Sequence, residues 1–375
     1  MTVIATTHTG SLPRPADLAE MLLARERGED VPGLAARVES AVADVVRRQV
    51  EAGIDLVNDG EMGKIGFAMY VKDRLTGFDG EGEWVGRRRP EMEAHPDFAG
   101  RWQATNNQAV LANPACTGPV GPRDPGAIAR DIAVLTSAAA AAGIGVDRLF
   151  MTAASPGVIS HFFANHHYPT REAFLGALAE AMRPEYEAIA DAGIMLQLDC
   201  PDLAMSRHSV FAHLGVEGFR REAALAVDAL NAAVARIPAD RMRLHVCWGN
   251  YEGPHDYDVE LKDVIDVVLR ARPAGIGLEA SNPRHGHEWR VFEDVRLPDD
   301  RYLVPGVIDS TNNYVEHPEL VTQRLRNYAR VVGAERVVGG SDCGFGTVAT
   351  MAMVAPSITW AKLRSLVEGA RRASE

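Results

Sequence analysis

A chain of 375 residues with 46% hydrophobic and 24% charged side chains has the composition of an ordinary soluble globular protein, with length for one large domain or two small ones. Its formal net charge of −12 argues against nucleic acid as a main partner, because phosphate binding needs a basic face, and the short runs RRR (87–89) and RR (371–372) read as solvated surface charge. No apolar run reaches the length of a membrane span, the N-terminus carries no basic region followed by a long apolar core, and cysteines scattered at 116, 200, 247 and 343 make no disulfide framework, so a cytoplasmic protein is expected.

Taken in order, the chain repeats one unit: a short apolar strand, a polar loop, then a helix rich in Ala, Leu and Arg. Strands are predicted at VIATT (3–7), DLVND (55–59), RLFMTA (148–153), MLQLD (195–199), RLHVC (243–247), GIGLEA (275–280), YLVPGVI (302–308) and RVVGGS (336–341). Helices are predicted at 34–53, 170–193, 216–237 and 317–333, where apolar residues recur at helical spacing and several runs stop at or near Gly. Strands alternating with helices imply a parallel sheet, and eight of them close a (β/α)8 TIM barrel, an α/β fold. A doubly wound open sheet is the alternative, but no G-x-G-x-x-G follows the first strand. Residues 1–375 are read as one barrel domain. Residues 65–125 break the rhythm with Gly and charge clusters flanking β-prone runs, which predicts a hairpin-like excursion between strands 2 and 3. Such an insertion is either an active-site cover or decoration.

In a barrel of this kind catalytic groups come from the C-terminal ends of the strands. Those ends carry Ser11 in THTGSLPRP, Asp59 and Glu61 in NDGEMGK, Ser155 in TAASPG, and Asp199 in QLDCPD. The later ends carry His245 and Cys247 in RLHVCWGN, Glu279 in GIGLEASNPRH, Asp309 in GVIDSTNN, and Asp342 with Cys343 in VVGGSDCGFGT. Any one of these acids reads as a cap or a loop-ordering group; the ring as a whole does not. His-x-Cys places two ligands on one side of an extended strand. The His245 imidazole, the Cys247 and Cys343 thiolates and the Glu279 carboxylate would make a tetrahedral Zn2+ site. The plain alternative is a core histidine and two buried cysteines, since free Cys is among the most buried residue types and no paired CxxC is present.

On these motifs the chain resembles the C-terminal barrel of cobalamin-independent methionine synthase, within the wider group of zinc-dependent thiol alkyltransferases. The resemblance runs from TTHTGSLPRP to SDCGFGT, over most of the chain. It implies His245, Cys247, Glu279 and Cys343 as metal ligands. It also implies Ser11, Glu61 and Asp199 as the residues that hold an amino-acid substrate, and two carboxylates are a natural clamp for an ammonium group. Departures are equally specific. The methionine synthases carry a duplicated N-terminal half, and this chain has one barrel. Their Asp-Ile-His-Ser-Pro stands here as Asp309-Ser310-Thr311-Asn312-Asn313, with threonine at the position of the proton-donating histidine. SHFFANHH replaces a Trp-Ser-Phe near the folate, and Asp-Glu-Pro-Ala has become Asp199-Cys200-Pro201-Asp202. The thiol-activating half is kept and the alkyl-donor half has changed.

The expectation is a zinc-dependent S-alkyltransferase, with Zn2+ lowering the pKa of a substrate thiol so that the thiolate attacks. Methyl transfer to homocysteine or a similar thiol comes first, from a folate, a corrinoid protein or another donor, with Asp309 and His8 as catalytic groups. The second reading is an epoxyalkane:coenzyme M transferase, favoured by single-barrel size and the altered donor side. Its sulfonate thiol calls for Arg14, Arg207 or Arg284 at the pocket, and its alkoxide for a proton from His8, His208, His285 or His287. A non-enzymatic rival is a zinc-stabilised corrinoid- or partner-binding subunit, whose site would be closed and free of an acid-lined pocket. Homo-oligomerisation is left open.

Overall fold

The computed structural model describes residues 3–82, 90–105, 114–349 and 353–375. A short antiparallel pair, β1 (Gly80–Glu81) and β2 (Pro114–Ala115), precedes a parallel sheet. That sheet runs in chain order through β3 (Phe150–Ala154), β4 (Met195–Asp199), β5 (Met242–His245), β6 (Gly275–Glu279), β7 (Tyr302–Ile308) and β8 (Gly340–Ser341). Segments 3–7 and 55–59 complete the circle. Thr6 bridges Gly339 and Val57 bridges Leu149, both in parallel sense, and the Leu56 N–H donates to Thr6 O at 3.0 Å. The eight predicted strand positions therefore close into a ring, as a barrel requires.

The first two positions are bridges rather than ladders for a local reason. The Asp55 carboxylate accepts both the Thr6 N–H and the Thr6 hydroxyl at 2.8 Å, which takes that N–H out of sheet pairing. The predicted strand 336–341 shortens to two residues where the register against β7 shifts between Gly306 and Ile308.

Helices form the outer layer where the periodicity predicts them: Leu34–Ala52, Arg171–Asp191, Gly215–Ala233 and Pro318–Val332. In the first, Ala41, Val42, Val45, Val46 and Ala52 are buried at helical spacing, and the chain stops at Gly53 with φ +87, a backbone state glycine adopts freely. In the last, Val321, Leu325 and Tyr328 face inward, and burying a side chain the size of Leu325 contributes about 1.5–3 kcal/mol. After β5 and β6 the helices shrink to Ile265–Val268 and Val291–Asp294. Long loops thus follow these two strands. Among the described residues, no helix is long and apolar enough to cross a membrane.

The excursion between the second and third barrel positions contains β1, β2 and the helices Pro90–Ala94 and Pro96–Thr105. It packs on the loop after β5: the Tyr251 hydroxyl bonds Glu91, the Trp102 ring lies 5.6 Å from that of Tyr251, and His95 Nε2 stands 3.0 Å from Asp256. Arg87, Arg88 and Arg89 lie outside the described residues.

Candidate active site

Strand ends bring the four sulfur, nitrogen and oxygen candidates together. Cys247 Sγ and Cys343 Sγ are 3.2 Å apart, and both cysteines are free thiols. Cys343 Sγ lies 3.6 Å from His245 Nε2 and 3.7 Å from Glu279 Oε1. Ligand atoms of His245, Cys247 and Cys343 all fall within 4.8 Å of one another. Glu279 is aimed by its neighbours, with Oε1 accepting the Trp248 N–H at 2.8 Å and Oε2 the Asn282 amide at 3.3 Å.

The chemistry of this donor set suits a thiophilic dication. Burial and the nearby Arg243 charge pull His245 down to about 3, which keeps its imidazole neutral and able to ligate. The bond from Cys343 lowers the Cys247 thiol, but burial and Glu279 outweigh it and push it up. Cys343 is pushed well up by its bond to Cys247 and by burial. Two buried thiols beside a carboxylate stay protonated unless a cation joins them. Two thiolates, one imidazole and one carboxylate fit zinc, with bonds of about 2.0–2.3 Å.

The loop carrying Cys343 is fixed from two sides. Asp342 accepts three backbone N–H groups, from Ala280 and Ser281 at 2.8 Å and from Asn282 at 2.7 Å, and so ties the loops after β6 and β8 together. On the other side stands Ser11, whose hydroxyl would lie 2.0 Å from a Cβ on Gly344. Only glycine permits this approach, and it sets Ser11 beside the residue that follows Cys343.

The second group of candidates lies on the adjoining strand. Asp199 is the register partner of His245 between β4 and β5. Burial, reinforced by the charge of Glu61, raises Asp199 to about 7. Glu61 sits at φ +57, an uncommon conformation for a residue with a Cβ, in a turn where Asn58 and Asp59 accept the next N–H groups at 2.9 Å. Its Oε1 accepts the Thr152 hydroxyl at 2.8 Å, while Oε2 is buried with no hydrogen-bond partner among the described residues. Glu61 thus combines an uncommon backbone conformation with a buried acceptor oxygen that has no partner among the described residues.

Other predicted residues have different company. His8 Nε2 bonds Gln49 Oε1 at 2.7 Å, and Nδ1 accepts the Gly10 N–H at 3.2 Å. Burial lowers its pKa to about 4, so it is a neutral ring with both nitrogens engaged. The Asp309 carboxylate accepts the Thr311 N–H at 2.6 Å and its hydroxyl at 2.7 Å, ordering its own loop. Ser155 caps the helix Pro156–Phe162 and donates to Asp202 at 2.8 Å. Arg14 donates to Glu61 O at 2.7 Å and Gly346 O at 2.5 Å, Arg207 to Ala212 O at 3.5 Å, and Arg284 is exposed.

Three interior groups escape the sequence reading. Arg243 donates to Gln197 Oε1 at 2.7 Å, Thr7 Oγ1 at 3.0 Å and His8 O at 3.0 Å, with its guanidinium 3.9 Å from the Phe150 ring centroid. Gln197 in turn donates to Asp199 Oδ1 at 2.9 Å. Lys64 Nζ reaches Thr152 O at 2.7 Å. The signal for Arg243 was present in RLHVC, where it shares the parity of His245 and therefore its face of the strand.

With this geometry in place, comparison with known proteins is decisive. The model of the cobalamin-independent synthase catalytic domain matches residues 158–371. The chain belongs to that family. Among curated relatives, it is 25% identical to a methionine synthase of Sulfolobus acidocaldarius and 26% identical to one of Pyrococcus furiosus, in each case over 98% of this chain and 92% of the relative. The family's fold is also seen in a B12-independent methionine synthase of Shewanella sp. W3-18-1 in complex with selenomethionine, with TM-score 0.74 and 20% identity over 100% of this chain and 98% of that one. These relatives bear on the single-barrel argument. Both curated methionine synthases are nearly matched in length by this chain, so its size does not favour epoxide opening over methyl transfer.

Proposed function

We propose that this family member methylates the sulfur of a small thiol that also carries an amino group, with homocysteine the first candidate. The observation that supports this reading is the pairing of Asp199 with His245 across neighbouring strands, which would let a carboxylate hold an ammonium beside a thiol bound at the sulfur cluster. Zn2+ held by His245, Cys247, Glu279 and Cys343 would supply the acidity that makes a bound thiol a thiolate at neutral pH.

The chain's own residues supply the rest. Glu61 Oε2 and the Asp199 carboxylate offer acceptors to the substrate ammonium, and Gln197 and Thr152 hold the two side chains in place. Ser11, packed on Gly344, supports the same end of the site. Fixing the amino group fixes the direction from which the sulfur meets the methyl donor, the geometric part of the rate gain. Asp309, with Thr311, shapes the loop on the donor side. The epoxide reading finds less support, because Arg14 is committed to backbone carbonyls and Arg284 is exposed.

The test is a thiol-consumption assay on zinc-loaded protein, pairing homocysteine or coenzyme M with a methyl-folate, methylcobalamin or epoxypropane. Homocysteine methylation, lost together with zinc in Cys247→Ser and Cys343→Ser, is the expected result. Turnover of coenzyme M with the epoxide alone, or full activity in both serine variants, would overturn it.

A further inference from the structure

A second buried group of ligating side chains lies outside the sulfur cluster, where three loops and the excursion meet. Asp258 is its hub. Its Oδ2 faces His255 Nδ1 at 2.8 Å and His285 Nε2 at 2.9 Å, and the opposite ring nitrogen of His285 is on Glu288 at 2.9 Å. These contacts fix the orientation of the carboxylate.

Its other oxygen is in a different position. Asp258 Oδ1 lies 3.0 Å from His208 Nδ1, at ion-pair distance. Among the described residues neither ring nitrogen of His208 has a hydrogen-bond partner, and neither do Asp258 Oδ1 and Glu91 Oε2. Glu91 and His208 are each 0% exposed. One ligand atom from each of Glu91, His208 and Asp258 falls within 4.8 Å of the other two. Buried polar atoms without hydrogen-bond partners are costly, and more so when charged. Two carboxylates converging on one imidazole attract positive charge, which a bound cation or a proton on His208 would bring and a water molecule would not.

We propose that Glu91, His208 and Asp258 form a second divalent-cation site, separate from the sulfur cluster and independent of the function proposed above. Its oxygen and nitrogen donors suit a first-row ion such as Mn2+, Co2+ or Zn2+. His255 and His285 act as orienting partners of the Asp258 carboxylate, in the manner of outer-shell groups around metal sites. The ligands come from three segments: Glu91 from the excursion helix Pro90–Ala94, His208 from the connection after β4, and Asp258 from the loop after β5. A cation here clips the excursion to the barrel loops.

Cobalt distinguishes the two sites, because only thiolate ligation gives an intense sulfur-to-cobalt band in the near ultraviolet. Chelator-treated protein titrated with Co2+ should take up two equivalents, one with that band and one without. The double variant Cys247→Ser/Cys343→Ser should lose the band and keep one equivalent. Glu91→Gln, which preserves shape, and His208→Ala should each keep the sulfur band and weaken the other equivalent by about 10–100-fold or more. Uptake of only one equivalent, and that one with the band, or a band-free equivalent indifferent to both Glu91→Gln and His208→Ala, would overturn the proposal. Failure of the sulfur cluster registers separately, as absence of the band.

Discussion

Asp199 and His245 stand opposite each other in neighbouring parallel strands, one at the head of the carboxylate pair and the other at the head of the sulfur cluster. Adjacent strands are about 4.8 Å apart, so a molecule with an ammonium and a thiol a few bonds apart spans both. The carboxyl of Asp199, raised to about 7 by burial and by Glu61, is the group whose charge an ammonium would demand. On the proposed clamp, binding requires its ionised form. Affinity for homocysteine or methionine should therefore rise about tenfold per pH unit below 7 and level off above it, with proton release on binding at pH 6. Calorimetry in buffers of different ionisation enthalpy reads that proton. Asp199→Asn should abolish the pH step and cost about 1.5–3 kcal/mol of binding, the range for a charge-assisted hydrogen bond. A flat profile in the unaltered protein would refute the clamp.

Arg243 holds the interior beneath that pair. Its guanidinium is fully enclosed, and burial lowers its pKa to about 10, still well above neutrality. Replacement by Met fills similar volume but strands Gln197 Oε1 and leaves the His8 carbonyl only the longer bond from the Thr7 hydroxyl at 3.4 Å. Arg243→Met is expected to lower unfolding free energy by about 3 kcal/mol in urea titrations. Because Gln197 also bonds Asp199, the Michaelis constant for the thiol should rise more than the turnover number falls.

Much of this site was legible because its chemistry is rare in sequence. His245, Cys247 and Cys343 are uncommon residue types at strand ends, and the period-two rule alone put the first two on one face. The barrel was legible for a similar reason, since strand and helix periods alternate through the chain. The polar interior was not. Arg243, Lys64 and Gln197 lie in strands or loops where a long polar or charged side chain ordinarily reads as exposed, and their burial depends on partners far away in sequence. His255 and Asp258 are three residues apart, but Glu91 and His208 are far from them in sequence, and only folding brings the group together. His8 shows the opposite case, where a strand-end histidine that looks catalytic is held by Gln49 and Gly10.

Asp342 offers a test of how the metal loops are held. Its carboxylate accepts three N–H groups from residues 280–282, directly after Glu279, the proposed carboxylate ligand. Asp342→Ala takes the side-chain acceptor from the Ser281 and Asn282 N–H groups, at roughly 1–3 kcal/mol each, while the Ala280 N–H keeps Gly306 O at 3.1 Å. The expected outcome is a loss of about 3 kcal/mol or more in unfolding free energy, with zinc affinity reduced about 10–100-fold. Asp342→Asn keeps one acceptor oxygen and should lose distinctly less of both. Equal stability of the alanine variant and the parent would contradict this role.

Gly344 tests the packing of the substrate end against the metal end. A Cβ there would fall 2.0 Å from Ser11 Oγ and 3.1 Å from Ser11 N, so backbone as well as side chain must move. Overpacking of this kind costs about 1–3 kcal/mol. Gly344→Ala should therefore lower stability by that amount and also weaken binding of the thiol substrate, because the loop that moves carries Ser11. Removing the hydroxyl tells which group resists. If the clash with Oγ dominates, Ser11→Ala combined with Gly344→Ala should recover most of the lost stability, whereas substrate affinity should stay low in the double variant because the Ser11 hydroxyl is gone. Recovery of both together would place Ser11 outside the substrate site.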